Sequence, residues 1–270
     1  MSYRNSTKLI SLNTQSGAVL IVVLLFLILI VFAGVIAVKR GVTDLKLATS
    51  DQINTLLLQS SDKAIQNIEQ SVNGSTDNKI HKEMMSRTGP FGYFILDTSS
   101  ADHEYIFCFR PRARFFDIRR TSILTADGGA ILNGGRGYCN PQNADDYISA
   151  RNTSMTQVNV TLTPPNPNNE PFASFTIGQD TSEISSQAFM FDITSTAVLP
   201  SYASAQLGNK KCFEKTSRIT SSDSIDKCLS EAGVPSTVLY EQANVENQSK
   251  RVRCVDYGKG NGKICTIPST

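Results

Sequence analysis

The chain has 270 residues and a formal net charge of +2, so its length allows one large or two small domains, and no global field recruits nucleic acid or an acidic partner. It holds only two histidines, His81 and His103, and lacks HExxH, GxSxG and CxxC motifs. Nothing therefore assembles a nucleophile with a base, or a zinc site, and neither enzyme activity nor a cofactor is expected.

Residues 1–17 are polar and basic, with Arg4 and Lys8, and they end in Gln15-Ser16-Gly17. From Ala18 to Val38 no side chain carries a charge, an amide or a hydroxyl. As a helix this run is roughly 31 Å long, which matches the hydrocarbon core of a bilayer. A cleaved signal peptide fits less well. Val35-Ile36-Ala37 is a passable small-residue site, but the apolar run is longer than such a signal needs, and Lys39-Arg40 directly follows. Arg4 and Lys8 on one flank balance Lys39 and Arg40 on the other, so flanking charge does not set orientation. The cysteines do: all six (Cys108, Cys139, Cys212, Cys228, Cys254 and Cys265) lie beyond the apolar run. An even number in one compartment reads as disulfides in an oxidising space, and places the C-terminal side in the periplasm or outside the cell.

The helix is expected to continue past the membrane-length run. Apolar residues recur at Val42, Leu45, Ala48, Ile53, Leu56, Leu57, Ala64, Ile65, Ile68 and Val72, mostly three or four apart, with a break around residues 49–52. Gly41 is a weak point, costing about 1 kcal/mol relative to Ala, and Asn73-Gly74-Ser75 is a stop signal. Ala18 to Val72 would make a helix of roughly 82 Å. The expected divisions are a leader at 1–17, an apolar half-helix at 18–38, an amphipathic half at 39–72 and a head at 73–270.

Two stretches carry a resemblance. Gln15-Ser16-Gly17 set directly against the apolar run resembles a prepilin leader, which a membrane peptidase cuts between Gly17 and Ala18 on the cytoplasmic side, with N-methylation of Ala18. Gln15-Ser16-Gly17-Ala18-Val19-Leu20-Ile21-Val22-Val23-Leu24 and Leu58-Gln59-Ser60-Ser61-Asp62-Lys63-Ala64-Ile65 together resemble the PilX family of type IV minor pilins. The resemblance covers about the first quarter of the chain and does not extend to the head. It implies an α+β fold, with the long helix packed on an antiparallel, β-rich, disulfide-bonded pilin head. It also implies an inner-membrane subunit, single-pass with a periplasmic C-terminus, that later joins a pilus. The implied partners are other minor pilins, the major pilin, the prepilin peptidase and a surface ligand at the pilus tip. The mature first residue would be Ala18 where major pilins have Phe, and the mature fifth would be Val22 where they have Glu. That Glu pairs with the N-terminal amine of a neighbour and guides docking, so Val22 implies a subunit placed first, at the tip. A type II secretion minor pseudopilin is the alternative of the same class. A membrane-anchored periplasmic receptor or enzyme is the alternative of another.

In the head, residues 93–96, Tyr105–Phe109, Val158–Leu162, Phe172–Ile177 and Phe189–Leu199 have strand composition. Pro164-Pro165-Asn166-Pro167-Asn168-Asn169 reads as a turn or linker. A helix is expected over Ser222–Ala232, closed by Gly233 and Pro235, and a β-hairpin at the end, Val252–Tyr257 with Lys263–Ile267. Six cysteines allow many pairings and the sequence does not choose among them; the local set is Cys108–Cys139, Cys212–Cys228 and Cys254–Cys265. Arg110, Arg112 and Arg114 alternate, so on a strand they would line one face, either a basic contact face for phosphate, DNA or an acidic neighbouring subunit or a solvated edge that discourages strand pairing. Asp145-Asp146 and the pair Asp97 and Asp102 offer oxygens for calcium without regular ligand spacing. Asp127-Gly128-Gly129 and Asn133-Gly134-Gly135-Arg136-Gly137 lack a phosphate-loop ending and read as turns.

Overall fold

One helix, α1 (Ser16–Val72), runs through both the apolar and the amphipathic stretches. The hydroxyls of Thr43 and Thr49 donate to the carbonyls of Lys39 and Leu45, one turn back, so both are satisfied within the helix. At its end Asn73 N–H reaches the Glu69 carbonyl at 2.8 Å. A Cβ on Gly74 would come within 2.7 Å of the Gln70 carbonyl oxygen, so the chain turns away at a residue without one.

The computed structural model describes residues 16–96, 100–125, 129–131, 134–163, 188–202, 211–218, 221 and 223–246. The chain divides into two compact units, Met1–Gln52 and Ile53–Thr270. In the first, the described part is α1 alone. In the second, the last turns of α1 are followed by two short helices, α2 (Lys79–Met84) and α3 (Gly92–Leu96), and then by an antiparallel sheet. The sheet comprises β1 (Glu104–Cys108), β2 (Thr121–Leu124), β3 (Met155–Leu162), β4 (Ala188–Val198) and β5 (Ser236–Glu246), with α4 (Ile225–Glu231) preceding β5. Strand order is β2-β1-β3-β4-β5. This is an α+β fold: a long N-terminal apolar helix, an antiparallel sheet and disulfides.

Both faces of the sheet are covered, which explains why β1 is buried along its whole length instead of alternating. On one face Tyr105 and Phe107 of β1 stand beside Val160 and Val158 of β3, and Val160 beside Ile193 of β4. They pack against Ala64, Ile65 and Ile68 of α1, with Met84, Phe91 and Phe94 closing the core. Close approach of helix to sheet depends on small polar residues. Ser61 Oγ donates to the Ser195 carbonyl at 2.7 Å, and Ser195 Oγ donates back to the Ser61 carbonyl at 3.1 Å, with both side chains buried. The opposite face carries a second core of Ile106, Leu124, Met155, Val198, Phe213 and Leu229 around two disulfides.

Helix α4 is capped as its sequence suggests: Ser224 Oγ accepts from Lys227 N, and Gly233 follows at φ +68°. Residues 93–96 correct the sequence reading. They are not a strand but most of α3, with Tyr93 and Phe94 buried. A short aromatic run buried on several sides has the same composition in either state. Residues 172–177, the proline-rich turn at 164–169 and the hairpin at 252–267 lie outside the described residues.

Candidate functional site

Two surfaces are candidates: the apolar part of α1, and the polar structure of the head. Along α1, every residue from Val19 to Val38 is exposed, and none of the most apolar window is buried against the rest of the chain. Its mean hydropathy is 3.6, and α1 is long and apolar enough to cross a membrane. An amphipathic helix would keep one polar face, but this segment has none. Each Val, Leu, Ile or Phe gains roughly 1.5–3 kcal/mol on leaving water, so the segment favours a non-aqueous surrounding by roughly tens of kcal/mol. Gly17 and Ala18 lie in its first turn, and Val22 is half exposed on the helix surface. Val42, Leu45 and Leu56, all in the stripe read from the sequence, are also exposed.

In the head, Cys108 is joined to Cys139 and Cys212 to Cys228. These are two of the three local pairs; Cys254 and Cys265 lie outside the described residues. Gln157 on β3 ties the two bridged segments together. Its Oε1 accepts from Cys139 N at 3.2 Å, and its Nε2 donates to the Phe213 carbonyl at 2.9 Å, both buried. Glu104 on β1 is the other buried polar centre. Its carboxylate accepts from Asn159 Nδ2 at 2.6 Å, Ser217 N at 2.7 Å and Thr216 Oγ1 at 2.7 Å. That set of donors holds the segment before α4 onto the sheet. Burial, followed by the nearby Glu214 and Glu104 charges, pushes the Tyr138 phenol up to about 12.

The arginines do not form the shared face that their alternation suggested. β1 stops at Cys108, and Arg110 through Arg114 lie in the turn beyond it. Pro111, without an N–H, cannot continue the strand ladder. Arg110 is 5% exposed and its Nε donates to Asp146 Oδ1 at 2.6 Å. Arg112 is exposed and donates to the Ala144 carbonyl, whereas Arg114 pairs with Glu83 of α2 at 2.7 Å. Ion pairing places Arg110 and Arg114, whereas Arg112 stays at the surface.

Asp146 is likewise taken up internally. Besides Arg110, its carboxylate accepts from Asn140 N at 2.9 Å and Asn143 Nδ2 at 3.0 Å. It organises the loop that carries Cys139, while Asp145 caps nothing and Asp97 lies outside the described residues. Among the described residues no three His, Cys, Asp or Glu side chains are grouped to hold a metal ion. His103 Nδ1 and Tyr93 OH share a hydrogen bond at 2.6 Å, and His81 Nδ1 lies 3.1 Å from the Ser71 carbonyl.

Sequence reasoning missed Glu104, Gln157 and the Arg110–Asp146 pair, because each has partners far away along the chain. It also missed Glu241 of β5, whose carboxyl is pushed up to about 7 by burial and by the nearby Glu69 of α1 and Asp62. Comparison of the chain with models of known families, with curated proteins and with solved structures finds no match.

Proposed function

We propose that this protein is a minor pilin that helps prime assembly of a type IV pilus, at or near the tip, together with other minor pilins. One observation carries the reading: a helix apolar on every side along Val19–Val38 and continuing without a break into turns that pack on the sheet. The exposed half fits two surroundings of similar polarity, lipid before assembly and neighbouring pilin helices after it. Exchange between them needs no change in the segment itself. Its role is physical and not catalytic. Gly17 is the residue before the cut and Ala18 the methylated mature N-terminus; the inner membrane is the site of insertion, and the pilus the site of display.

Val22 supports a place at the tip. An acid at that depth costs roughly 2.5–3.5 kcal/mol on insertion scales, which a subunit with a neighbour ahead of it recovers by pairing. A subunit with nobody ahead gains nothing from it.

The test is the mature N-terminus, measured by mass spectrometry on protein purified from its native membrane. Cleavage before Ala18, and its loss in Gly17→Val, is the expected result. Intact residues 1–17 in the wild-type protein would refute the reading in favour of a membrane-anchored receptor or enzyme.

A further inference from the structure

The two edges of the sheet are finished differently. At β2 the chain folds back over its own edge: Ile131 N–H donates to the Ile123 carbonyl at 2.8 Å, and Leu124 is bridged to Ala130. At β5 no further strand follows among the described residues. β5 is 11 residues long and pairs with β4 in unbroken register from Ser236 to Glu246. It contains no proline, and no bulge interrupts the pairing. Every second residue of such a strand turns its N–H and C=O away from its neighbour, so about five donors and about five acceptors line the outer side. Among the described residues no backbone group beyond β4 bonds to them. The polar side chains of β5 project from the faces of the sheet and do not block its edge. A long, straight edge of this kind is a template for one more strand.

We infer that this edge is taken by the chain's own C-terminal segment: residues 252–257 lie antiparallel along β5 as a sixth strand, and residues 263–267 follow outside them as a seventh. Both segments lie outside the described residues, and the chain that leads to them decides the placement. β5 ends at Glu246, and the five residues 247–251 make a connection of hairpin length. A parallel crossover takes a dozen or more residues, so the chain returns antiparallel, on the side of β5 that β4 leaves open. Val252, Val255, Tyr257, Ile264, Thr266 and Ile267 give both segments strand composition. Residues 252–257 span about 20 Å, enough to cover roughly the last half of β5. The margin of the sheet then becomes a short strand carrying Lys263, two features that discourage further pairing. A Cys254–Cys265 bridge would join the sixth strand to the seventh. It would clamp the margin of the sheet, whereas the other two bridges sit in the second core. The inference stands whether or not the protein is a pilin.

The experiment is amide hydrogen exchange, read by NMR on the oxidised full chain in detergent micelles. Between residues 240 and 246, the amides that point away from β4 are expected to exchange within about tenfold of those that point toward it. Hα–Hα contacts are expected between these residues and residues 252–257 of the same chain. Val255→Pro and Asp256→Pro each remove one N–H. Neighbouring N–H groups point opposite ways, so one of the two variants takes its donor from the β5 side. That variant is expected to speed exchange of the outward amides about a hundredfold, while the inward amides and those of β3 stay protected and report an intact fold. Outward amides that exchange in the wild type at the rate of an open chain, or that keep their protection in both variants, would overturn the inference. Contacts between β5 of a labelled chain and residues 252–257 of an unlabelled one, in a mixed sample, would put a second copy on the edge and would also overturn it.

Discussion

Replacing Asp146 by Ala leaves Arg110 charged, with 6% of its side chain exposed, and deprives Asn140 N and Asn143 Nδ2 of their acceptor. Breaking a buried ion pair from one side costs about 3–5 kcal/mol, since the remaining charge is neither solvated nor paired. Domains are stable by only about 5–15 kcal/mol, so the loss is a large share of the total. The assay is urea unfolding of the oxidised full chain in micelles, followed by tyrosine fluorescence, where the midpoint should fall by roughly 1–2 M. Asp146→Asn keeps the shape and two acceptor contacts, and should lose less. Arg110→Met with Asp146→Leu, which removes both charges and fills the space, should be clearly more stable than Asp146→Ala. A loss under about 1 kcal/mol for Asp146→Ala, or a double variant no better than the single one, would refute the claim that burial of this pair fixes the turn.

Gln157→Leu strands a buried N–H at Cys139 and a buried carbonyl at Phe213, and should lower stability by about 2–4 kcal/mol in the same urea assay. Glu241→Gln should act with the opposite sign. The Glu241 carboxyl is raised from 4.5 to about 7, so its contribution is full below pH 4.5 and is lost as pH climbs through 7. The variant should therefore melt above wild type at pH 8 and with it at pH 4, by scanning calorimetry of the full chain. In cells, loss of the protein should reduce pilus number far more than pilus length, and labelled heads should sit at filament ends under electron microscopy. Uniform labelling along shafts would contradict the tip position without touching the pilin proposal.

The parts of the fold that were legible in the sequence are those fixed by local composition. α1 announces itself through Ala18–Val38 and the stripe beyond, and α4 through Gly233 and Pro235, although it begins at Ile225 and not at Ser222. β1, β3 and β4 are rich in β-branched and aromatic residues, and the structure places strands there. β5 was not legible. Ser236–Glu246 carries Gln, Asn and Glu among its apolar residues, as suits the edge of the described sheet, and its pairing with β4 gives it order that its own composition does not. The arginine turn failed for a related reason. Alternation at Arg110, Arg112 and Arg114 is a local pattern, but Arg110 answers to Asp146 and Arg114 to Glu83, each distant in sequence. Pro111 was the available local warning. The membrane-length helix was legible in full; the polar contacts of the head, which depend on tertiary neighbours, were not.

The two bridges also give the head a mechanical signature. A pull applied through α1 is borne by the Ser61–Ser195 contacts and by the Ala64, Ile65 and Ile68 packing that tie its last turns to the sheet. Once they yield, the residues spanned by Cys108–Cys139 and Cys212–Cys228, separations of 31 and 16, cannot extend. At about 3.4 Å per residue those closed loops withhold roughly 100 Å and 50 Å of contour length from the stretched chain. An oxidised head pulled open is therefore shorter by roughly 150 Å than a reduced one.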